Sequence, residues 1–157
     1  MPTVRGCHFP DELLYDVERH LWYAERPDGT VRVGLTAVAI ALSGEVLGFT
    51  PRRAGRMVEA GKSVATIESG KWVGPARISF DATIAATNEP AMDIPSMLSA
   101  DPYGDGWLVD LSPADWQAAR VALLGGNAVA PAYEAWMEAN NFPGCDVPVP
   151  PGTWRPD

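Results

Sequence analysis

The chain has 157 residues, a formal net charge of −8 and a sequence pI of about 4.7. That length suffices for one compact domain, and 46% hydrophobic with 20% charged residues is ordinary for a globular protein. The acidic balance argues against nucleic acid or an anionic membrane as partner, since both need clustered Lys and Arg.

The longest apolar run, AVAIAL at 37–42, is far too short for a membrane span. The N-terminal stretch MPTVRGCHFPDELLYD has no basic region followed by an apolar one, so no secretory signal is expected and the cytoplasm is the expected compartment. Residues 8–19 carry apolar Leu13, Leu14 and Val17, which fits either one helical turn or an extended lead-in. HLWYAERPDGTVRVGLT, 20–36, predicts a β-hairpin: Trp22 and Ala24 alternate with polar neighbours, PDG supplies turn chemistry, and Val31, Val33 and Leu35 alternate on the return. AVAIALSG, 37–44, predicts a short helix stopped by Gly44.

Short strands punctuated by Gly follow at 45–50, 56–61, 62–69 and within 72–88. Ile78, Phe80, Ala82 and Ile84 show period-two spacing, and such regular short strands fit a sandwich or barrel better than a βαβ layer. DPYGDG, 101–106, reads as a turn leading into a strand at WLVDL. Ser112-Pro113 is expected to cap a helix running to Gly125-Gly126, and a second helix over 130–142 places Tyr133, Trp136 and Met137 on one face. The Pro-rich segment 143–157 is expected to be extended.

The chemistry-bearing residues are sparse. His8 and His20 have no ligand-spaced companions, so no metal site is expected. No phosphate-binding glycine loop and no nucleophile elbow is present, and the carboxylate pairs Asp11/Glu12 and Asp101/Asp105 sit in predicted loops. No catalytic residues are assigned. Cys7 and Cys145 are expected to be reduced thiols, although neighbouring chain ends leave a pairing open. Arg52, Arg53 and Arg56 form a small basic spot, read as a solvated loop.

Two lysines stand against ten arginines: Lys62 at a strand start and Lys71 at the turn between two predicted strands. A turn tip is an accessible place for a modified side chain, and a neutral lysine amine can form an amide where a guanidinium cannot. The run from His20 to Trp107 resembles the H protein of the glycine cleavage system. The resemblance rests on His20 and Trp22, DGTVRVGLT, Gly44-Glu45, Gly55, the V-x-A-G of 58–61, ESGK at 68–71, Asn88-Glu89, Pro95 and DPYGDGWL at 101–108. It implies a mainly β, barrel-sandwich hybrid fold with peripheral helices and an extended C-terminal tail. Residues 1–112 would form the lipoyl domain with its lead-in, and 113–157 a helical and Pro-rich extension packed on it.

The resemblance also implies a non-catalytic carrier with lipoate in amide linkage to Lys71, flanked by Glu68, Ser69, Gly70 and Trp72, and loaded by a lipoate ligase or other lipoyl-attachment enzymes. Two departures bear on its partners. Where the family has Glu between the His and Trp, and GITDHA after the hairpin, this chain has Leu21 and GLTAVA with Ala37 and Val38. Those family side chains line the groove that holds a charged aminomethyl arm, and apolar replacements remove the ammonium's partners. The N-terminal GCHFPDELLYDVERHLW resembles lipoate-binding proteins of heterodisulfide-reductase-like sulfur-oxidising systems. Sulfur oxidation with such a complex is therefore the expected setting, glycine cleavage enzymes the alternative, and a non-lipoylated relative the third reading.

Overall fold

The computed structural model describes residues 2–149, so the Pro-rich expectation beyond Val149 lies outside the described residues. The chain opens with a two-stranded hairpin, β1 (Thr3–Val4) and β2 (Cys7–His8), turning through Arg5 and Gly6 at positive φ. The lead-in is then extended and not helical: β3 (Leu14–Asp16) pairs with β4 (Leu21–Glu25). The predicted hairpin forms between β4 and β5 (Val31–Leu35), in register Tyr23↔Val33. At its turn the exposed Asp28 carboxylate accepts from Thr30 Oγ1 at 2.6 Å and Thr30 N at 2.9 Å, and these bonds hold its pKa below the ordinary value.

The expected helix is α1 (Ala37–Ser43). Thr36 Oγ1 caps it by accepting from Ala39 N, and Gly44 ends it at φ 74°. The strands β6 (Val46–Pro51) and β8 (Ser63–Ser69) follow as their patterns predict, whereas 56–61 forms only the two-residue β7 (Met57–Val58), and 72–88 divides into β9 (Val73–Arg77) and β10 (Ala82–Thr87) with Ile78 and Phe80 buried in the connection between them. Two short helices, α2 (Glu89–Asp93) and α3 (Ser96–Ala100), carry no signal in the sequence, since five residues are too few to display a helical period. Ser112-Pro113 corrects a second expectation. Both belong to the strand β11 (Val109–Pro113), whose pairing with β10 outweighs the local capping signal. Asp115 caps the following helix instead, its side chain accepting from Ala118 N, and α4 spans only Trp116–Val121. A 3₁₀ turn (Gly126–Ala128) leads into α5 (Val129–Ala139), where Tyr133, Trp136 and Met137 are buried together as the pattern predicts.

The fold is mostly β, in open sheets with peripheral helices and no closed barrel among the described residues. A six-stranded antiparallel sheet has the order β3-β4-β5-β11-β10-β7, and a three-stranded sheet the order β6-β8-β9. Between them lies the main core: Tyr23, Val31 and Val33 from the first meet Val46, Phe49, Val64 and Ile67 from the second. A second cluster joins the N-terminal segment to α1 and α5 through Phe9, Trp22, Val38, Tyr133 and Trp136. Within it Phe9 stacks on Tyr133 at 4.4 Å, and His20 Nδ1 lies 3.2 Å from the Tyr133 hydroxyl. Gly34 is needed here, because a Cβ at that position would stand 2.6 Å from Trp22 Nε1.

The cysteines correct the expectation of reduced thiols. Cys7 and Cys145 form a disulfide, with Cα atoms 5.1 Å apart at a sequence separation of 138. The cause is the docking of the first hairpin against α5 and the segment after it. Arg5 reaches Glu134 at 2.7 Å and the Phe142 carbonyl at 2.9 Å, while Cys145 N donates to Arg5 O.

Candidate functional site

Lys71 sits at the tip of the β8–β9 hairpin, where the register Glu68↔Val73 leaves four residues to turn. Ser69 N donates to Trp72 O at 2.9 Å, which closes the turn around Gly70 and Lys71. The Ser69 hydroxyl then braces it from below, accepting from Lys71 N at 3.2 Å and Trp72 N at 3.3 Å and donating to Trp72 O at 3.3 Å. Ser69 itself is buried, while Gly70 and Lys71 are exposed. A rigid base thus carries a free amine.

The neighbours have distinct roles. Trp72 is half-buried and packs on the main core, so its indole anchors the hairpin; its Nε1 is buried without a hydrogen-bond partner. Glu68 is exposed on the outer face, its carboxylate lying over Gly48, where a Cβ would be 2.8 Å from Oε1. Leu47 and Val73 on the strands flanking Glu68 are also exposed. Gly70 is not demanded by crowding, because a Cβ there would meet no atom within 4 Å.

The lysine side chain leans toward α1. Its Cε lies 3.7 Å from the place of a Cβ on Gly44, an ordinary contact distance, so the stem runs beside the helix end. The start of α1 is held by the DPYGDGWL segment: the Tyr103 hydroxyl accepts from Ala37 N at 2.9 Å and donates to His8 O at 2.7 Å. Asn88 holds the same segment, donating to Asp105 O and Trp107 O. Burial pushes the Tyr103 phenol pKa up, which keeps it a hydrogen-bond donor. Sequence reasoning missed this link between Tyr103 and α1, although the motif itself was visible. Leu21 and Val38 are fully buried, one in each apolar cluster.

The site therefore fits an amide-linked arm. It offers an exposed amine, a stem that runs beside a helix end, and an unpaired indole N–H beside the attachment point. Lys62 is also exposed but lies just before β8, without a hydroxyl-braced turn. The arginines 52, 53 and 56 line an open cleft with Ser63 and Thr66, toward the end of β8 opposite Lys71. Among the described residues no helix is long and apolar enough to cross a membrane.

The family model described as "Glycine cleavage H-protein" matches residues 13–135. Glycine cleavage system H protein 5 of Aquifex aeolicus is 41% identical over 134 residues, which cover 83% of this chain and 90% of that protein. A probable glycine cleavage system H protein 2 of Sulfurisphaera tokodaii is 33% identical, covering 83% and 89%. The crystal structure of a glycine cleavage system H protein from Mycobacterium marinum superposes with a TM-score of 0.69 at 32% identity, covering 83% of this chain and 99% of that one. Proteins of this family are non-catalytic carriers with lipoate attached covalently to a lysine. The chain belongs to the glycine cleavage H-protein family.

Proposed function

We propose that Lys71 is the lipoylated residue and that its arm carries intermediates between partner enzymes. The observation that supports this most is the two-residue tip braced by Ser69, which offers one lysine amine on a rigid base beside the bare end of α1. Trp72 anchors the tip, Glu68 with exposed Leu47 and Val73 forms the rim met by a lipoyl-attachment enzyme, and Gly70 leaves the approach open. Residues 1–112 act as the carrier unit, with the described part of 113–157, up to Val149, as an extension packed on it. The setting is the cytoplasm.

Glycine cleavage is the pathway best supported, because the similar proteins carry that name. One observation favours the second reading, sulfur oxidation with a heterodisulfide-reductase-like complex: Leu21 and Val38 are apolar and fully buried, so neither offers a charged aminomethyl group a polar partner. The test is to mix lipoyl-loaded chain with glycine decarboxylase and glycine and to read intact mass. An aminomethyl increment on the arm supports glycine cleavage. An unchanged mass, with a glycine-cleaving H protein loaded in parallel, removes that pathway and leaves the sulfur setting.

A further inference from the structure

The lysine and the disulfide stand at opposite ends of one helix. At the C-terminal end of α1, Lys71 Cε approaches Gly44. At its N-terminal end, Cys145 Sγ lies 3.6 Å from Ala37 O. The part-exposed positions between them are Ala37, Ile40, Ala41 and Gly44, an i, i+3, i+4, i+7 set on one face. Ile40 and Trp72 border the main core, whereas Ala37, Ala41 and Cys145 border the second cluster, so this face runs along the seam between the two. From Ala37 to Gly44 the helix rises about 10 Å. A fully extended acyl chain of about eight bonds from Cε covers roughly the same distance.

Given Lys71 as the lipoyl-bearing residue, the geometry points to a second redox centre in this chain: the Cys7–Cys145 disulfide is the intramolecular thiol–disulfide exchange partner of the arm. Cys7 is fully buried and Cys145 only partly so, which makes Cys145 Sγ the sulfur open to attack. A thiolate of the reduced arm bonds to Cys145 Sγ, and the Cys7–Cys145 bond breaks with Cys7 leaving as a thiolate that takes up a proton. The arm's second thiol, losing its proton, then displaces Cys145, which leaves as a thiolate and is protonated. In sum, one dithiol and one disulfide become one dithiolane and two thiols, with two electrons and two protons passing to the cysteine pair. The reverse reaction re-forms the disulfide.

The experiment uses the full chain at about 10 µM, with lipoyl content first established by intact mass. The arm is poised with NADH and catalytic lipoamide dehydrogenase, and free thiols at Cys7 and Cys145 are trapped by alkylation and assigned by peptide mapping. The control is Lys71→Arg with equimolar free dihydrolipoamide. A tethered dithiol acts at a millimolar effective concentration, so exchange in the loaded chain should be about 100-fold faster and independent of protein concentration. A second run starts from reduced cysteines and an oxidised arm and follows loss of the thiols, so a disulfide favoured at equilibrium is also detected. Equal rates in loaded and Lys71→Arg chains, or no exchange in either direction with the arm's own state changing, overturn the inference. A chain that gains no lipoyl mass fails at the first step and overturns the assignment of Lys71 itself.

Discussion

Replacing Ser69 with Ala removes one oxygen from beneath the lysine and tests whether the tip is as rigid as its hydrogen bonds indicate. The hydroxyl accepts two backbone N–H bonds at 3.2 and 3.3 Å and donates one at 3.3 Å. A neutral hydrogen bond contributes about 0.5–1.5 kcal/mol net, and these three are long. Lys71 is exposed, so water can replace its acceptor, whereas Trp72 is half-buried. The loss should therefore be about 1–2 kcal/mol, lowering Tm by roughly 2–8 °C in a chain of this size. Amide exchange at Lys71 and Trp72 should accelerate about tenfold, and attachment of lipoate by a ligase should lose up to about tenfold in kcat/KM, since about 1.4 kcal/mol of tip ordering is one decade. Ser69→Thr keeps the hydroxyl and should restore both. An alanine variant with wild-type Tm and wild-type exchange at those two amides would refute the bracing role.

Three other perturbations probe the scaffold. Burial lowers the His20 pKa from its ordinary 6.5 to about 3, so between those values the unfolded chain binds a proton that the folded chain does not. Stability should fall as pH drops below 6.5, by about 3 kcal/mol at pH 4.5, and a urea series across pH should show His20→Asn, which suits the positive φ at this position, with a flatter profile. Gly34→Ala drives a methyl into the buried Trp22 ring and should cost about 3 kcal/mol, read as a lower urea midpoint with an unchanged slope. Breaking the Cys7–Cys145 crosslink with a phosphine reductant should cost about 2–5 kcal/mol, since it closes a loop of 138 residues. An unmoved midpoint after complete reduction would show that docking of the first hairpin alone holds the ends.

What was legible in the sequence follows from what leaves a local signal. The β4–β5 hairpin announces itself by alternation and PDG, α1 by its Ala-rich run and Gly44, and the buried face of α5 by the spacing of Tyr133, Trp136 and Met137. The helices α2 and α3 span barely more than one turn each and leave none. Ser112-Pro113 misleads because a good cap sequence yields to a strand partner 29 residues earlier, Thr83, which pairs with Ser112. The disulfide depends on how the chain ends dock, and no spacing over 138 residues encodes that. At the site, ESGK marks the lysine, but Ser69's role as a brace and the approach of Lys71 to Gly44 are properties of the folded turn.

Whether Lys71 bears the arm is decided by intact mass followed by peptide mapping. The chain, expressed with a lipoate ligase, should gain one lipoyl increment that maps to Lys71, persists in Lys62→Arg and disappears in Lys71→Arg. An increment on Lys62, or none with a ligase that loads a known H protein in the same experiment, would contradict the account.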